Sequence, residues 1–472
     1  MSVKRKVWIV CMACMIGCFP VSAQSRIEPA DLPILAWYGI PAHEATVERF
    51  EELRDAGFTL NFRSFPSADA VAKGLDAAGK AGIKLIIGCP ELEKEPEKTV
   101  RRFMNHSALA GYFLRDEPRS NEFAELGEWA RRIQAVDNEH FCYLNLFPTG
   151  PKEHLDQLGV KSYREYVSRF DEQVPLPFLT FDHYPITRDG LKAEWYENLE
   201  EFSDEARKAG KPFWAFALAT SHGPYPVPTP AMLRLQVYSD LAYGAQGIQY
   251  FTYWTPQGDS FWDYRFGPIG LDGKRTVAYD RVRAMNQELK ALSGIFVGAK
   301  VISVRHTGDR IPRGTTRLAP LPGPDKVLEA EGTGSVVSLL ENKGGLYLLI
   351  VNRDYERPMR LTFYADESVG RVLKDGSVVP AQAYTGVLEV EPGSAMSRPR
   401  TKKGKCPSPF GSKPAPGGAY FCVFIAVRVL GGPFADMALI RYGLSTLLPY
   451  DMQDFIGRVD SFIFRFAIFA GD

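Results

Sequence analysis

Three ionisable residues stand in a row where an apolar run ends: Gly111-Tyr112-Phe113-Leu114 leads straight into Arg115-Asp116-Glu117-Pro118. Charged groups at the end of a buried run are costly unless they face a polar cavity or cap a helix. In a cavity walled by apolar strand ends, the carboxyl of Glu117 has its pKa raised and serves as a general acid that protonates a leaving oxygen. Arg115 or Asp116 would then orient a neighbour or hold substrate hydroxyls. The competing reading is a salt-bridged helix start, because Asp and Glu favour helix N-termini and Pro118 ends the strand in either case. A second carboxylate follows an apolar run in Thr180-Phe181-Asp182-His183-Tyr184-Pro185. Asp182 could activate a water opposite Glu117, act as a nucleophile, hold substrate hydroxyls, or partner an arginine or a turn. His183 beside it could bind substrate or tune Asp182. Tyr38, Arg63, Asn145, Tyr184, His222, Gln249 and Trp254 lie at or just beyond the ends of comparable runs. Flat rings, amides and carboxylates suit a ligand with apolar ring faces and fixed hydroxyls. Trp254 is the preferred stacking platform, with a barrel-plug residue as the alternative. Strand alternation puts Gln249, Phe251 and Tyr253 on one face and Tyr250, Thr252 and Trp254 on the other, so not all of them can line one site.

The elements that must position these residues follow from periodicity. From Pro33 to about Ser293 short apolar runs alternate with longer helical patterns, the signature of a parallel sheet wrapped by helices. The strand candidates are Ile34–Gly39, Thr59–Arg63, Lys84–Gly88, Ala110–Leu114, Cys142–Leu146, Phe178–Asp182, Phe213–Leu218 and Gly247–Tyr253. A set of about eight strands over roughly 260 residues is the size of a (β/α)8 TIM barrel, in which chemistry sits at the C-terminal strand ends. Helices are expected over Ala42–Ala56, Ala68–Ala81, Asn121–Val136, Leu191–Ala209 and Pro230–Tyr243, with Gly57, Gly82, Gly210 and Gly244 as stops and Ser120 and Thr229 as caps. After Gly294, Val301–Arg305, Ser335–Glu341, Gly345–Asn352, Met359–Tyr364 and Val387–Val390 read as strands separated by Gly, Asn and Asp turns. They predict a smaller all-β sandwich domain. The expected organisation is thus residues 24–295 as barrel, 296–395 as sandwich and 396–472 as an atypical tail. That tail sustains neither a strand nor a helix period and reads as disordered or as a reading-frame artefact beyond Gly393.

The chain's 472 residues carry 56 basic and 56 acidic side chains, a formal net charge of zero. That excludes a nucleic-acid binder that relies on a basic surplus and leaves a neutral ligand as the natural partner. Lys4, Arg5 and Lys6, the apolar stretch from Val7 to Phe19 and the small residues Val21-Ser22-Ala23 predict a signal peptide over residues 1–23. A lipobox ending in Cys18 is the alternative. Export to the periplasm or the exterior is expected, with no integral membrane span. Cys89 and Cys142 sit in strand-like runs and read as buried free thiols. No metal-ligand spacing occurs, and the chemistry proposed needs no cofactor.

The segment Gly111-Tyr112-Phe113-Leu114-Arg115-Asp116-Glu117-Pro118 resembles the fourth-strand motif of the clan-A glycoside hydrolases, where the strand ends in Asn-Glu-Pro or a variant and the Glu is the acid/base. The eight-strand layout, Tyr143-Leu144-Asn145-Leu146-Phe147-Pro148, the aromatic eighth strand and the C-terminal sandwich are also similar, over about Ile34 to Gly393. The resemblance implies the acid/base role for Glu117, with Asp116 in the place of the usual Asn. It also implies a nucleophilic Glu at the end of strand seven. There this chain departs, because Phe213 to His222 contains no carboxylate. A retaining pair of carboxyls stands about 5–5.5 Å apart and an inverting pair about 6.5–9.5 Å, and Asp182 is the available substitute for either. The expected function is O-glycosidic hydrolysis of a neutral oligo- or polysaccharide by carboxylate acid/base catalysis. The alternative is a degenerate barrel that binds glycan without cutting it. A Ser-His-Asp esterase at Ser221-His222 is weaker, because no Gly-x-Ser-x-Gly elbow precedes a helix.

Overall fold

The computed structural model describes residues 26–259, 262–318, 328–330, 333–363, 370–380, 386–390, 392 and 423–424. The predicted signal peptide and Cys18 lie outside the described residues, as does the tail except for Val423–Phe424. Eight parallel strands form the centre: β1 (Ile34–Trp37), β2 (Leu60–Ser64), β3 (Lys84–Gly88), β4 (Leu109–Asp116), β5 (Phe141–Asn145), β6 (Leu179–Phe181), β7 (Phe213–Leu218) and β8 (Gly247–Phe251). Hydrogen-bonded neighbours run β5-β4-β3-β2-β1-β8-β7-β6. The ring is completed where Leu146 N donates to Thr180 O at 2.9 Å and Leu146 bridges Phe181. All eight strands fall on runs read from the sequence. Strands buried on both faces are continuous apolar runs, which makes them easy to find.

Alternate residues of these strands turn inward and form a compact cluster that includes Leu35, Trp37, Phe62, Tyr143, Phe178, Trp214 and Phe216. Phe178 and Trp214 stack with ring centroids 4.2 Å apart. The residues between them pack outward into the much larger cluster shared with the helices. The barrel is therefore filled by aromatic rings at its base, and only its C-terminal mouth is open to a ligand.

The helix Ala68–Ala81 has the expected bounds, with Ser67 accepting from Ala70 N and Gly82 closing it at φ 76°. Thr229 caps Pro230–Ala242 through Met232 N. Three expected helices are shorter. The helix expected over Asn121–Val136 runs Phe123–Gln134 behind a 3-10 turn at Ser120–Glu122, so Ser120 lies inside that turn and Arg119 caps it. Thr46 accepts from Arg49 N and starts a separate helix at Val47, leaving only a 3-10 turn at Ala42–Glu44. Residues 186–191 form a small hairpin, so the next helix begins at Trp195. Helices at Pro90–Lys94, Pro96–Phe103, Lys152–Leu158, Tyr163–Gln173 and Val277–Phe296 are additional to those read from the sequence.

β4 is irregular. It pairs Phe113 with Tyr143 but then Arg115 with Leu144 and Asp116 with Asn145, so one extra residue bulges out of the ladder at Leu114. Gly111 is the point of closest approach to β5, where a Cβ would stand 2.4 Å from Phe141 O.

Beyond the barrel, Lys300–His306, Ser335–Asn342 and Gly345–Asn352 make one antiparallel sheet, and Leu328–Ala330, Met359–Phe363 and Gly386–Val390 make another. The hairpin turn uses Lys343 and Gly344, both at positive φ. The first sheet is fastened to the barrel by Asn342, whose Nδ2 donates to Gly294 O, Ile295 O and Val297 O at 3.0, 3.0 and 2.9 Å. It thereby satisfies the carbonyls at the end of the Val277–Phe296 helix. Asn342→Ala should cost about 1–3 kcal/mol, read as a lower denaturation midpoint with an unchanged m-value. Cys89 and Cys142 are free thiols, the first half-buried and the second buried. Among the described residues, no helix is long and apolar enough to cross a membrane.

Candidate active site

The C-terminal ends of β4, β5 and β6 bring three carboxyl groups and one amide together. Asp116 ends β4 opposite Asn145 at the end of β5. Asn145 Nδ2 donates to Asp182 Oδ1 at 2.9 Å and to Asp116 Oδ1 at 3.3 Å, while its Oδ1 accepts from Thr180 Oγ1 at 2.8 Å. The threonine hydroxyl therefore fixes which end of the amide faces the carboxylates. Glu117 leaves the strand at φ 47°, an uncommon conformation for a residue with a side chain. It is held there by a hydrogen bond from its own N to Asn145 O at 2.9 Å. That turn carries its carboxyl to Asp182, to which it hydrogen-bonds.

The electrostatics separate these acids. Glu117 is pushed far above the usual carboxylate range by burial, then by the charges of Asp182 and Asp116 and by donating its proton to Asp182. Asp182 is also raised by burial, but hydrogen bonds from Asn145, Tyr184 and Glu117 all favour its ionised form. Asp116 opens to the cavity on one side but has protein around the rest of its carboxyl; burial and the charge of Asp182 push it up to about 7. Burial raises both carboxyls, and Glu117 carries the proton of the hydrogen bond that joins it to Asp182.

These groups line a cavity of about 380 Å³, within the roughly 300–1,000 Å³ of small-molecule sites. Its floor is Trp37 from β1 and Phe216 from β7, meeting edge to face at 5.5 Å. Phe251, Trp262 and Tyr264 line one part, with Trp262 39% exposed and stacked on Tyr264. His183, Tyr184, Lys192, His222 and Tyr225 complete the lining, with the His222 ring 5.4, 5.6 and 5.0 Å from those of Phe251, Trp262 and Tyr264. His183 Nδ1 meets Asn198 Oδ1 at 2.7 Å, and the same oxygen accepts from Thr149 N at 2.9 Å, so His183 must be the donor and its Nε2 an acceptor. Burial, helped by the charge of Lys192, lowers His183 to about 3, and His222 moves in the same direction. Both rings are neutral at physiological pH.

Of the residues singled out in the sequence, Asp116, Glu117, Asn145, Asp182, His183, Tyr184 and His222 line this cavity. Tyr38, Arg63, Gln249 and Trp254 lie outside that lining. Tyr38, at φ 48°, packs on the inner cluster and carries the Arg63 guanidinium on its ring at 3.6 Å, while Trp37 is the β1 residue that lines the cavity. Gln249 is fully buried below the cavity, where its Oε1 accepts from Tyr143 OH. Trp254, expected as the stacking platform, is 5% exposed and packs in the outer cluster beside Arg49, with Tyr250 rather than with Phe251, whose ring lines the cavity. Arg115 points to Glu122 at 3.9 Å, outside the cavity. Lys192, Tyr225 and Phe216 were missed. Phe216 carried a signal, since it sits on the inward parity of an apolar strand.

Asn145→Ala should raise the pKa of both Asp116 and Asp182, because it removes donors that favour their ionised forms. The acidic limb of the rate profile should move up by about one pH unit for each hydrogen bond lost. A profile that keeps its shape while only the amplitude falls would contradict this role.

The parallel barrel, with carboxyl groups at its C-terminal strand ends, is similar in fold to a solved glycoside hydrolase. Within it, residues 157–292 match the glycoside hydrolase 42 family model, described as beta-galactosidase. A glycoside hydrolase family 5 structure from Bacteroides vulgatus shares the fold, with 14% identity, 90% of this chain and 93% of that chain covered and a TM-score of 0.50. Beta-galactosidases from the psychrophilic Marinomonas ef1 and the Antarctic haloarchaeon Halorubrum lacusprofundi align at 12% and 13% identity over 56% and 55% of this chain, with TM-scores of 0.43 and 0.41. The alignments span 61% and 58% of those two proteins, about three-fifths of their length. No curated protein matches the chain.

Proposed function

We propose that the protein is an exported glycosidase that cleaves O-glycosidic bonds of an oligo- or polysaccharide, with Glu117 as general acid/base and Asp182 as the second carboxylate. The observation that carries this reading is the hydrogen-bonded Glu117–Asp182 pair in a ring-lined cavity at the barrel mouth. Glu117, raised far above the usual range, carries the proton, and the hydrogen bonds that Asp182 accepts favour its anion, which is the division of labour hydrolysis requires. A hydrogen-bonded pair leaves none of the wide gap that an inverting enzyme fills with water, and it parts to the about 5–5.5 Å of a retaining pair when a sugar enters. Asp182 is assigned as the nucleophile, taking from strand six the place that a strand-seven Glu holds elsewhere, with retention as the expected outcome. Asn145 and Tyr184 hold Asp182 in line, and Trp37 and Trp262 supply the apolar faces for sugar rings.

Export rests on the signal-like residues 1–23, with lipid attachment at Cys18 as the variant. The two three-stranded sheets beyond residue 300 are assigned as the halves of a small antiparallel sandwich packed on the barrel. The test of the activity is turnover against a glycan panel, with the anomer of the first product followed by NMR. Retention supports the nucleophile assignment, inversion reassigns Asp182 as a base on water, and no cleavage of any member removes the activity. A binding-only barrel is the second reading, favoured by the missing strand-seven carboxylate. Saturable glycan binding without cleavage by the unmodified protein is the result it expects.

A further inference from the structure

Lys192 is the one cation among the residues that line the cavity. It follows the Ile186–Leu191 hairpin, where its backbone N donates to Pro185 O at 2.8 Å. That hairpin is tied to the loop after β7, through Arg188 N to Pro224 O at 2.9 Å and the Arg188 guanidinium to Gly223 O. The same loop carries His222 and Tyr225. Lys192 Nζ donates to Tyr225 OH at 2.9 Å and sits 5.1 Å from the centre of that ring. Among the described residues it forms no ion pair with a carboxylate, although the surface lysines Lys98, Lys152 and Lys208 do.

The ammonium is half-buried, so it has given up part of its hydration for a phenol and a ring face. Neither partner neutralises it. Its charge bears on His183 and His222, whereas the shifts of Asp116 and Glu117 arise from burial and from neighbouring carboxylates. Lys192 is thus a fixed positive charge on the histidine side of the cavity, away from the carboxyl that delivers the proton. A balanced net charge for the whole chain says nothing about such a local field.

We propose that the sugar bound beside Lys192 carries an anionic substituent, a carboxylate or a sulfate ester, which pairs with the ammonium on the His183, His222 and Tyr225 side of the cavity. The inference rests on the cavity being the saccharide site, and it names the substrate class. The neutral histidines complement the cation: each ring has a nitrogen that can hydrogen-bond a hydroxyl without adding a second charge.

The test measures equilibrium binding to the full-length Glu117→Gln protein, followed by tryptophan fluorescence at low and high salt. The ligands are the methyl glycosides of galactose and glucose, the corresponding uronic acids and the 6-sulfates. At least one anionic member should bind roughly 10–100-fold more tightly than its neutral parent, with the preference shrinking in salt. Preference confined to the uronic acids identifies a carboxylate, and preference confined to the sulfates identifies a sulfate ester. Lys192→Met should erase the preference, and Lys192→Arg should retain most of it. Equal binding of parents and anions, no binding by any member, or equal loss for all ligands in Lys192→Met overturns the proposal. Cleavage of neutral glycosides without anion preference overturns it while leaving the glycosidase reading intact. Anion-selective binding with no cleavage by the unmodified protein does the reverse.

Discussion

Glu117→Gln should hydrolyse its substrate roughly 100- to 10,000-fold more slowly than the unmodified protein while still binding saccharide. The amide keeps the size of the side chain and can still donate to Asp182, so the cavity retains its shape. What it cannot do is release a proton to a departing oxygen. The loss should therefore depend on the leaving group. A glycoside of a strongly acidic phenol leaves without protonation, and its first bond-breaking step should be nearly spared, whereas an alkyl glycoside should show the full effect. Stopped-flow release of the phenol set against steady-state cleavage of the alkyl glycoside measures both. Equal rates for variant and parent protein on the alkyl glycoside would remove Glu117 from the mechanism.

Asp182→Asn should be at least as damaging, and it carries a second signature. The charge of Asp182 is the largest electrostatic contribution, after burial, to the raised pKa of Glu117. Removing that charge lets Glu117 lose its proton more easily, so the alkaline limb of the residual activity should shift to lower pH. The acid limb, set by ionisation of Asp182 in the parent, should disappear or pass to Asp116, whose own pKa should fall once the charge of Asp182 is gone. Added azide should restore cleavage of an activated glycoside and yield a glycosyl azide of inverted configuration, because a small anion can occupy the space of a missing nucleophile. An alkaline limb unmoved by the substitution would show that the two carboxyls are not coupled as the geometry has them.

Much of this site could be read before folding, for a physical reason. Glu117 and Asp182 each follow an apolar run without an intervening turn, and a chain rarely places an ionisable group there unless a cavity receives it. The barrel was equally legible, because each of its strands is buried on both faces. What escaped was set by partners distant in sequence or by departures from regular geometry. Lys192 is an ordinary lysine in a loop until the hairpin and the loop after β7 bring Tyr225 against it. Trp254 was expected in the site although alternation sets it with the outward Tyr250, and it packs in the outer cluster. Tyr38 was preferred to Trp37 although Trp37 shares the inward parity of Leu35.

The bulge at Leu114 makes the polarity of the cavity a matter of counting. Inward and outward positions of a strand alternate, so one extra residue exchanges the two sets downstream of it. With the bulge present, Asp116 stands opposite Asn145 and Arg115 points away. Strict alternation counted from Phe113 through Leu114 would instead turn Arg115 into the cavity and Asp116 outward, setting a guanidinium beside Asp182 in place of a carboxyl. The bulge absorbs one residue of that count. A chain that paired Leu114 regularly would still encode every amino acid with a chemical role, and would lose the cluster of carboxyls that they form.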